Sequence, residues 1–406
     1  MRSTTAKARS NEFDVSAQTQ VEGTQGSVPK HVMIMGGLAQ SLTNFRGPLI
    51  QKLLGQGHRV TAVAGNDDDK VRKTLNGWGA EFTSVGLVRA GMNPLADVGT
   101  LLNLHQLMTR KRPDVYLGYT IKPVIYGLVA ARRAGVPRRI AMITGLGYAF
   151  TDGPEWKRAI AHVIARTAYK LSLKMADKVI FQNPDDEEYF LERNLVSSRK
   201  QTALVNGSGV DLDHFTPAAF PGGPISFLMI ARLLRDKGVL EYVEAARMVK
   251  RQHPDARFVL AGPLDPNPSA IQEKDVMSWV KEGIIEYRGE VQDVRPEIAN
   301  CHVYVLPSYR EGTPRTVLEA MAMGRPIITT DVPGCRQTIE DGCSGFLVNP
   351  RNGKDIAQAM RKYLLNPVLL EKMGKESQQR AGQMYDQLNV TLQILSHMNI
   401  NARANA

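Results

Sequence analysis

Apolar residues in this chain gather in short dense runs. Longer stretches between the runs repeat apolar and polar residues at helical spacing. The first run, His31-Val-Met-Ile-Met-Gly36, ends at the pair Gly36-Gly37. Runs at 59–64, 81–86, 114–120, 139–144 and 178–182 follow, and each reads as a strand. Helices are expected between them at about 45–56 (closed by Gly57), 70–78, 95–111, 123–134 and, longest, 154–176. Strands alternating with helices imply parallel βαβ units. Short right-handed connections then give a doubly wound sheet.

The pattern breaks at Asn206-Gly-Ser-Gly-Val-Asp211 and in the proline-rich stretch 216–224, a linker signature. A second strand series follows at 225–230, 257–261, 284–288, 302–307, 326–330 and 345–348, and the chain is helical from about Lys354. The expected fold class is α/β, with two Rossmann-like doubly wound domains facing a central cleft. The first is placed at 30–215 and the second at 222–385, with a helix at 386–406 packing back on the first. A cleft between such domains is a common ligand site. Residues 1–29 are polar, lack the apolar segment of a secretory signal, and read as a flexible tail.

Composition narrows the class. At 406 residues, 43% hydrophobic and 22% charged, the chain is globular and too long for one core. Its three cysteines, Cys301, Cys335 and Cys343, form no C-x-x-C pair, which fits a reducing, cytoplasmic setting. No apolar run approaches the roughly 20 residues that span a bilayer. The net charge of +11 lies entirely in the first half: residues 1–200 hold 28 basic and 17 acidic residues, and residues 201–406 hold 23 of each. This asymmetry points to different partners for the two halves.

The most informative stretch is Glu311-Gly-Thr-Pro-Arg-Thr-Val-Leu-Glu319, after the strand ending near Pro307. Thr313 is expected to cap a helix with Pro314 at its first position. The amides of Arg315, Thr316 and Val317 would then face an anionic ligand such as a diphosphate. Glu311 and Glu319 would reach opposite ends of a nucleotide sugar. Arg232 and Lys237 share the loop after the second half's first strand, where two cations can neutralise a diphosphate leaving group. Gly36 and Gly37 would let the backbone approach a sugar or phosphate closely. Without a full G-x-G-x-x-G, no dinucleotide fingerprint is present.

These motifs resemble those of GT-B glycosyltransferases of family 4, which are retaining and metal-independent. The resemblance covers about residues 31–390 and includes Asn206-Gly-Ser-Gly-Val-Asp211 with Phe215, Asn44-Phe45-Arg46, Ile143-Thr-Gly-Leu-Gly147, Lys237-Gly-Val, Leu306-Pro-Ser-Tyr309 and Asp265-Pro-Asn-Pro-Ser269. It implies that Arg232 and Lys237 bind the donor diphosphate, Glu311 contacts the transferring sugar, and Glu319 binds the ribose. The backbone near Glu290-Val291 would hold the base, and Gly36-Gly37 would close over the donor. Many members carry a histidine after the strand that here ends at Thr144. This chain has Thr144-Gly145-Leu146-Gly147 instead. Replacing Glu311 or Lys237 with alanine is expected to abolish transfer and leave the fold intact.

In such an enzyme the first half takes the acceptor. At 100° per residue, Trp156, Ile160, Val163, Ile164 and Leu171 share one side of the 154–176 helix. Arg158, His162, Arg166 and Lys170 share the other, a pattern suited to an anionic membrane surface. A helix packed on the sheet with a solvated basic face fits equally. Lys122, at a helix start, is a candidate for the acceptor's diphosphate. The expected partners are a nucleotide-sugar donor, a lipid-diphosphate-linked saccharide acceptor and an anionic membrane surface, with no nucleic acid, no metal and no cofactor beyond the UDP-sugar substrate. The location expected is cytoplasmic, peripheral on the inner face of the membrane. A UDP-sugar 2-epimerase on the same fold, or a non-enzymatic basic binder of membrane or nucleic acid, are the alternatives.

Overall fold

The computed structural model describes residues 28–87, 94–145, 166–265, 267 and 270–400. Its first sheet is built from β1 (His31–Gly36), β2 (Arg59–Ala64), β3 (Glu81–Ser84), β4 (Val115–Tyr119), β5 (Arg138–Ile143), β6 (Lys178–Phe181) and β7 (Thr202–Leu204). The strands are parallel and lie in the order β3-β2-β1-β4-β5-β6-β7. The intervening helices are α1 (Ala39–Gly55), α2 (Asp69–Trp78), α3 (Pro94–Lys111), α4 (Ile121–Arg133), α5 (described over 166–173) and α6 (Pro184–Glu192).

The second sheet comprises β8 (Ser226–Ile230), β9 (Arg257–Ala261), β10 (Glu286–Tyr287), β11 (Val303–Leu306), β12 (Ile327–Thr330) and β13 (Gly345–Val348), in the order β10-β9-β8-β11-β12-β13 and again parallel. Its helices are α7 (Val239–Lys250), α8 (Glu273–Lys281), α9 (Arg295–Ala299), α10 (Arg315–Ala322) and α11 (Gly353–Leu365); α12 (Val368–Tyr385) and α13 (Gln387–His397) follow. The strand order reverses between β1 and β4 in one sheet and between β8 and β11 in the other. In open α/β sheets, ligands bind outside the carboxyl ends of the strands at such points. Gly36-Gly37 follows β1, Arg232 follows β8, and the loop 307–314 follows β11.

Three departures from the expected elements have local causes. Helix α1 starts six residues before the expected position, directly after the glycine pair. Its first amide, that of Ala39, donates to Asn66 Oδ1 at 2.9 Å, so the cap comes from the β2–α2 loop. Helix α6, absent from the expected elements, is capped by the Asn183 side chain on the Asp186 amide, with Pro184 at its first turn. Strand β7 is only three residues long and had no periodicity to read.

Each sheet carries buried side chains on both faces. Val390, Ile394, Leu395, Met398 and Ile400, in and just after α13, join the cluster formed by β1, β2 and α1. The chain thus returns to the first sheet after completing the second. The linker is stitched to that return: the Val210 amide donates to Tyr385 O at 2.7 Å, and the Gln387 amide to Val210 O at 3.0 Å.

Candidate active site

At the carboxyl edge of the second sheet, Lys237 Nζ donates to Glu311 Oε1 at 2.5 Å, and Ser308 Oγ donates to the same oxygen at 2.7 Å. Both side chains of the pair are more than four-fifths buried. Burial works against the Lys237 charge, but the Glu311 carboxylate outweighs it and holds the ammonium above its usual range. Lys237 is the last residue of a short helical turn, Arg235–Lys237, capped by Gly238, which has φ +76° and packs against Pro307 O with no room for a Cβ. That glycine turns the chain sharply enough to aim Lys237 back at the loop after β11.

Glu319 lies one turn into α10, 6% exposed, and accepts from Arg315 Nε at 2.8 Å. Burial raises the pKa of its carboxyl, against the pull of Arg315. Arg315 also reaches across the cleft, where Nη1 donates to Asn44 O of α1 and the guanidinium lies 5.4 Å from the Phe45 ring centre. Pro48 explains why Asn44 O is open to it. Proline has no N–H, so the bond that residue 48 would give to the carbonyl four residues earlier is missing.

The structure corrects several expectations. Thr313 does not cap α10. Its hydroxyl proton lies between two carbonyls, Gly312 O at 2.9 Å and Gln182 O of the first half at 3.1 Å, and Pro314 is the capping residue. The Val317 amide is not free, since it donates to Pro314 O. The amides of Arg315 and Thr316 precede the helix's first internal bond and remain the ones pointing outward. Arg232 is half exposed and held by Asp265 Oδ2 at 2.9 Å. Lys122 is paired as well: its Nζ donates to the buried Asp97 Oδ1 at 2.9 Å. Gly36 has a nearer reason to be glycine than a ligand: a Cβ there would strike the Tyr119 hydroxyl at 2.2 Å. A Cβ at Gly37 would lie 3.1 Å from Thr120 Oγ1. Val291 is half-buried against the second core.

Arg158 and the first part of the 154–176 helix lie outside the described residues. In the described part, Arg166 is exposed and Lys170 intermediate. Leu171, assigned to the apolar side, is 54% exposed. Tyr169 and Leu173 are buried instead, in the core cluster with β6 and α6. The inward face is therefore turned away from the expected one, and a leucine stands among the basic residues.

Sequence reading missed the seam between the halves. Asn183 Nδ2 donates to Gly312 O at 2.8 Å, and Arg310 Nη2 to Asp186 Oδ1 at 2.5 Å. Asp185 accepts from Arg336 at 3.3 Å and from Gln337. The Asn183-Pro184 pair signals a helix start, but nothing in the chain marks these side chains as partners of residues about 130 and 150 positions away.

A family model described as glycosyl transferases group 1 matches residues 224–366, and one described as a glycosyl transferase 4-like domain matches residues 45–207. The chain is 30% identical over 361 residues to the N,N'-diacetylbacillosaminyl-diphospho-undecaprenol alpha-1,3-N-acetylgalactosaminyltransferase of Campylobacter jejuni, covering 86% of this chain and 92% of the relative. The chain is a family 4 glycosyltransferase. This glycosyltransferase is also 26% identical over 269 residues to the UDP-Gal:alpha-D-GlcNAc-diphosphoundecaprenol alpha-1,3-galactosyltransferase of Escherichia coli, covering 63% of this chain and 67% of the relative. The sucrose-phosphate synthase of Thermosynechococcus elongatus superposes with a TM-score of 0.75 at 20% identity, over 90% of this chain and 98% of that one. HepE of Anabaena, solved with UDP and glucose, superposes with a TM-score of 0.72 at 15% identity, over 91% and 99%. At these identities the likeness is one of fold, the two-domain GT-B arrangement. These findings speak against the 2-epimerase and the non-enzymatic binder.

In this glycosyltransferase Lys237 and Glu311 lie on two strand-end loops, and Arg315 and Glu319 lie in the first two turns of α10. No helix among the described residues is long and apolar enough to cross a membrane.

Proposed function

We propose that this glycosyltransferase moves a sugar from a UDP-sugar to a polyprenyl-diphosphate-linked saccharide in bacterial surface glycan assembly, with retention and without a metal. The observation that carries the reading is the buried Lys237–Glu311 pair at the carboxyl edge of β8 and β11, beside the start of α10. Breaking the bond at the anomeric carbon leaves negative charge on the diphosphate. Lys237, Arg232 and the amides of Arg315 and Thr316 are the groups to receive it. Glu311 would face the transferring sugar, Glu319 the ribose, Val291 the base, and Gly36-Gly37 the donor from the opposite side. The names of the Campylobacter and Escherichia relatives, both with undecaprenyl-diphosphate-linked acceptors, support the acceptor class.

The acceptor end is assigned to the first half, where the excess positive charge lies. The exposed Arg166 and Leu171 suit a peripheral stay on the anionic inner face of a membrane.

A thermal-shift panel of nucleotides tests the donor. UDP and one UDP-sugar should raise the melting temperature, because a ligand that binds only the folded state stabilises it by about 2.7 kcal/mol at one hundred times its Kd. Guanine and adenine nucleotides should leave it in place. A panel in which no uridine nucleotide shifts the midpoint would overturn the donor assignment. Transfer of radiolabelled sugar to a polyprenyl-diphosphate saccharide, but not to the free saccharide, checks the acceptor.

A further inference from the structure

The loop that carries Glu311 is held from both halves of the molecule. Lys237 and Ser308, of the second half, take the Glu311 carboxylate itself. Its chain neighbours are held by the first half. Arg310, on one side, donates to Asp186 Oδ1 at 2.5 Å. Gly312, on the other side, accepts at its carbonyl from Asn183 Nδ2 at 2.8 Å. Thr313, next along, donates to Gln182 O at 3.1 Å.

All three holding residues sit where β6 runs into α6. The same Asn183 side chain caps that helix: its Oδ1 accepts from the Asp186 amide at 2.8 Å, and its Nδ2 also donates to Asp186 Oδ2 at 3.0 Å. Asp186 is 0% exposed. A carboxylate this deep is costly unless it is paired, and its cation comes from the opposite half. Gly145 presses on the same loop, with its Cβ position 3.3 Å from the Gly312 amide.

We propose that Asn183 and Asp186 are positioning residues for Glu311, acting across the seam through Gly312 and Arg310. The inference rests on the reading that Glu311 contacts the transferring sugar. Fixing the residues before and after Glu311 leaves its backbone little freedom, and the fix is complete only while the halves are closed. The first half thereby contributes to the chemistry by setting where the second half's carboxylate stands. Positional errors of about 1 Å at a reacting centre cost on the order of 100-fold in rate.

The test uses the full-length enzyme with Arg310→Gln, Asp186→Asn and the double variant. Arg310 is 30% exposed, so Arg310→Gln can be read even if Asp186→Asn folds poorly. Each single change should lower kcat about 10- to 100-fold, while KM for the nucleotide sugar and Kd for the free nucleotide stay within about twofold. The double variant should lose no more than the worse single, because both remove one interaction. Arg310→Lys should recover part of the rate lost in Arg310→Gln. An unchanged kcat in Arg310→Gln overturns the proposal. So does a rate loss matched by an equal weakening of nucleotide binding, or a double-variant loss equal to the product of the two singles. Glu311→Gln, measured alongside, separates the two readings. If it keeps the full rate, the role of Glu311 itself fails. If it collapses while Arg310→Gln does not, only the positioning role fails.

Discussion

Glu311→Gln should lower the transfer rate about 1000-fold, in line with the loss of one placed charge or donor at a transition state, and leave the protein folded. Glutamine keeps the volume, and its carbonyl oxygen still accepts from Ser308 and Lys237. What goes is the negative charge. Lys237→Met should cost as much rate or more, because it removes the cation nearest the leaving diphosphate in the proposed geometry. It should also destabilise the fold by about 3–5 kcal/mol, since it strands a carboxylate that is more than four-fifths buried. The pairing makes the fold's response to alanine depend on which partner is removed. A combined Lys237→Met and Glu311→Gln variant should regain most of the lost stability and none of the activity. Urea midpoints and initial rates on the three proteins check this. A fast enzyme in either single variant would contradict the proposed chemistry.

Gly312→Ala should cost about 100-fold in kcat without weakening either core. A Cβ at Gly312 would lie 2.5 Å from Thr144 O and 2.8 Å from Gln182 Oε1. Carbon and oxygen need about 3.3 Å or more, so the halves must part by close to 1 Å at the loop that carries Glu311, a displacement of the size that costs about 100-fold. The obstacle at Thr144 is backbone and cannot rotate aside. The melting temperature should barely move, because the clash is at the seam. Gly77→Ala is the control: the site is in α2 with open space around it, so the change should be silent or slightly stabilising. Equal rates for wild type and Gly312→Ala would show that the seam opens without consequence for the reaction.

Most of the fold was legible because its signals are local. Strands β2, β9 and β13 fall where their apolar runs end, since a buried parallel strand is a continuous apolar run between glycines and polar turns. Helix α1 begins earlier than its own periodicity indicates because its cap is Asn66, on another loop, and no residue near Gly37 announces it. The candidate site was legible as a set of residue types on the right loops. What could not be read was which of them meet. Lys237 and Glu311 are 74 positions apart and bond directly. Lys122 stands at a helix start, and its partner Asp97 lies 25 positions earlier in the chain. Thr313 has the ideal chemistry for a cap, yet a carbonyl of the first half shares its hydroxyl. Pairings of this kind depend on how the two sheets face each other, and no periodicity within one segment encodes that.

Pro48 gives α1 a second use. An ordinary helix satisfies its own carbonyls and so responds only to its own unfolding. Here the Asn44 carbonyl is left for Arg315 of the opposite half, and any opening of the cleft would hand it to water. The local opening of α1 is thereby linked to a distant equilibrium. Anything that holds the cleft shut also protects the middle of this helix. Amide hydrogen exchange around residues 44–52 becomes a gauge of cleft closure, readable without any label in the cleft.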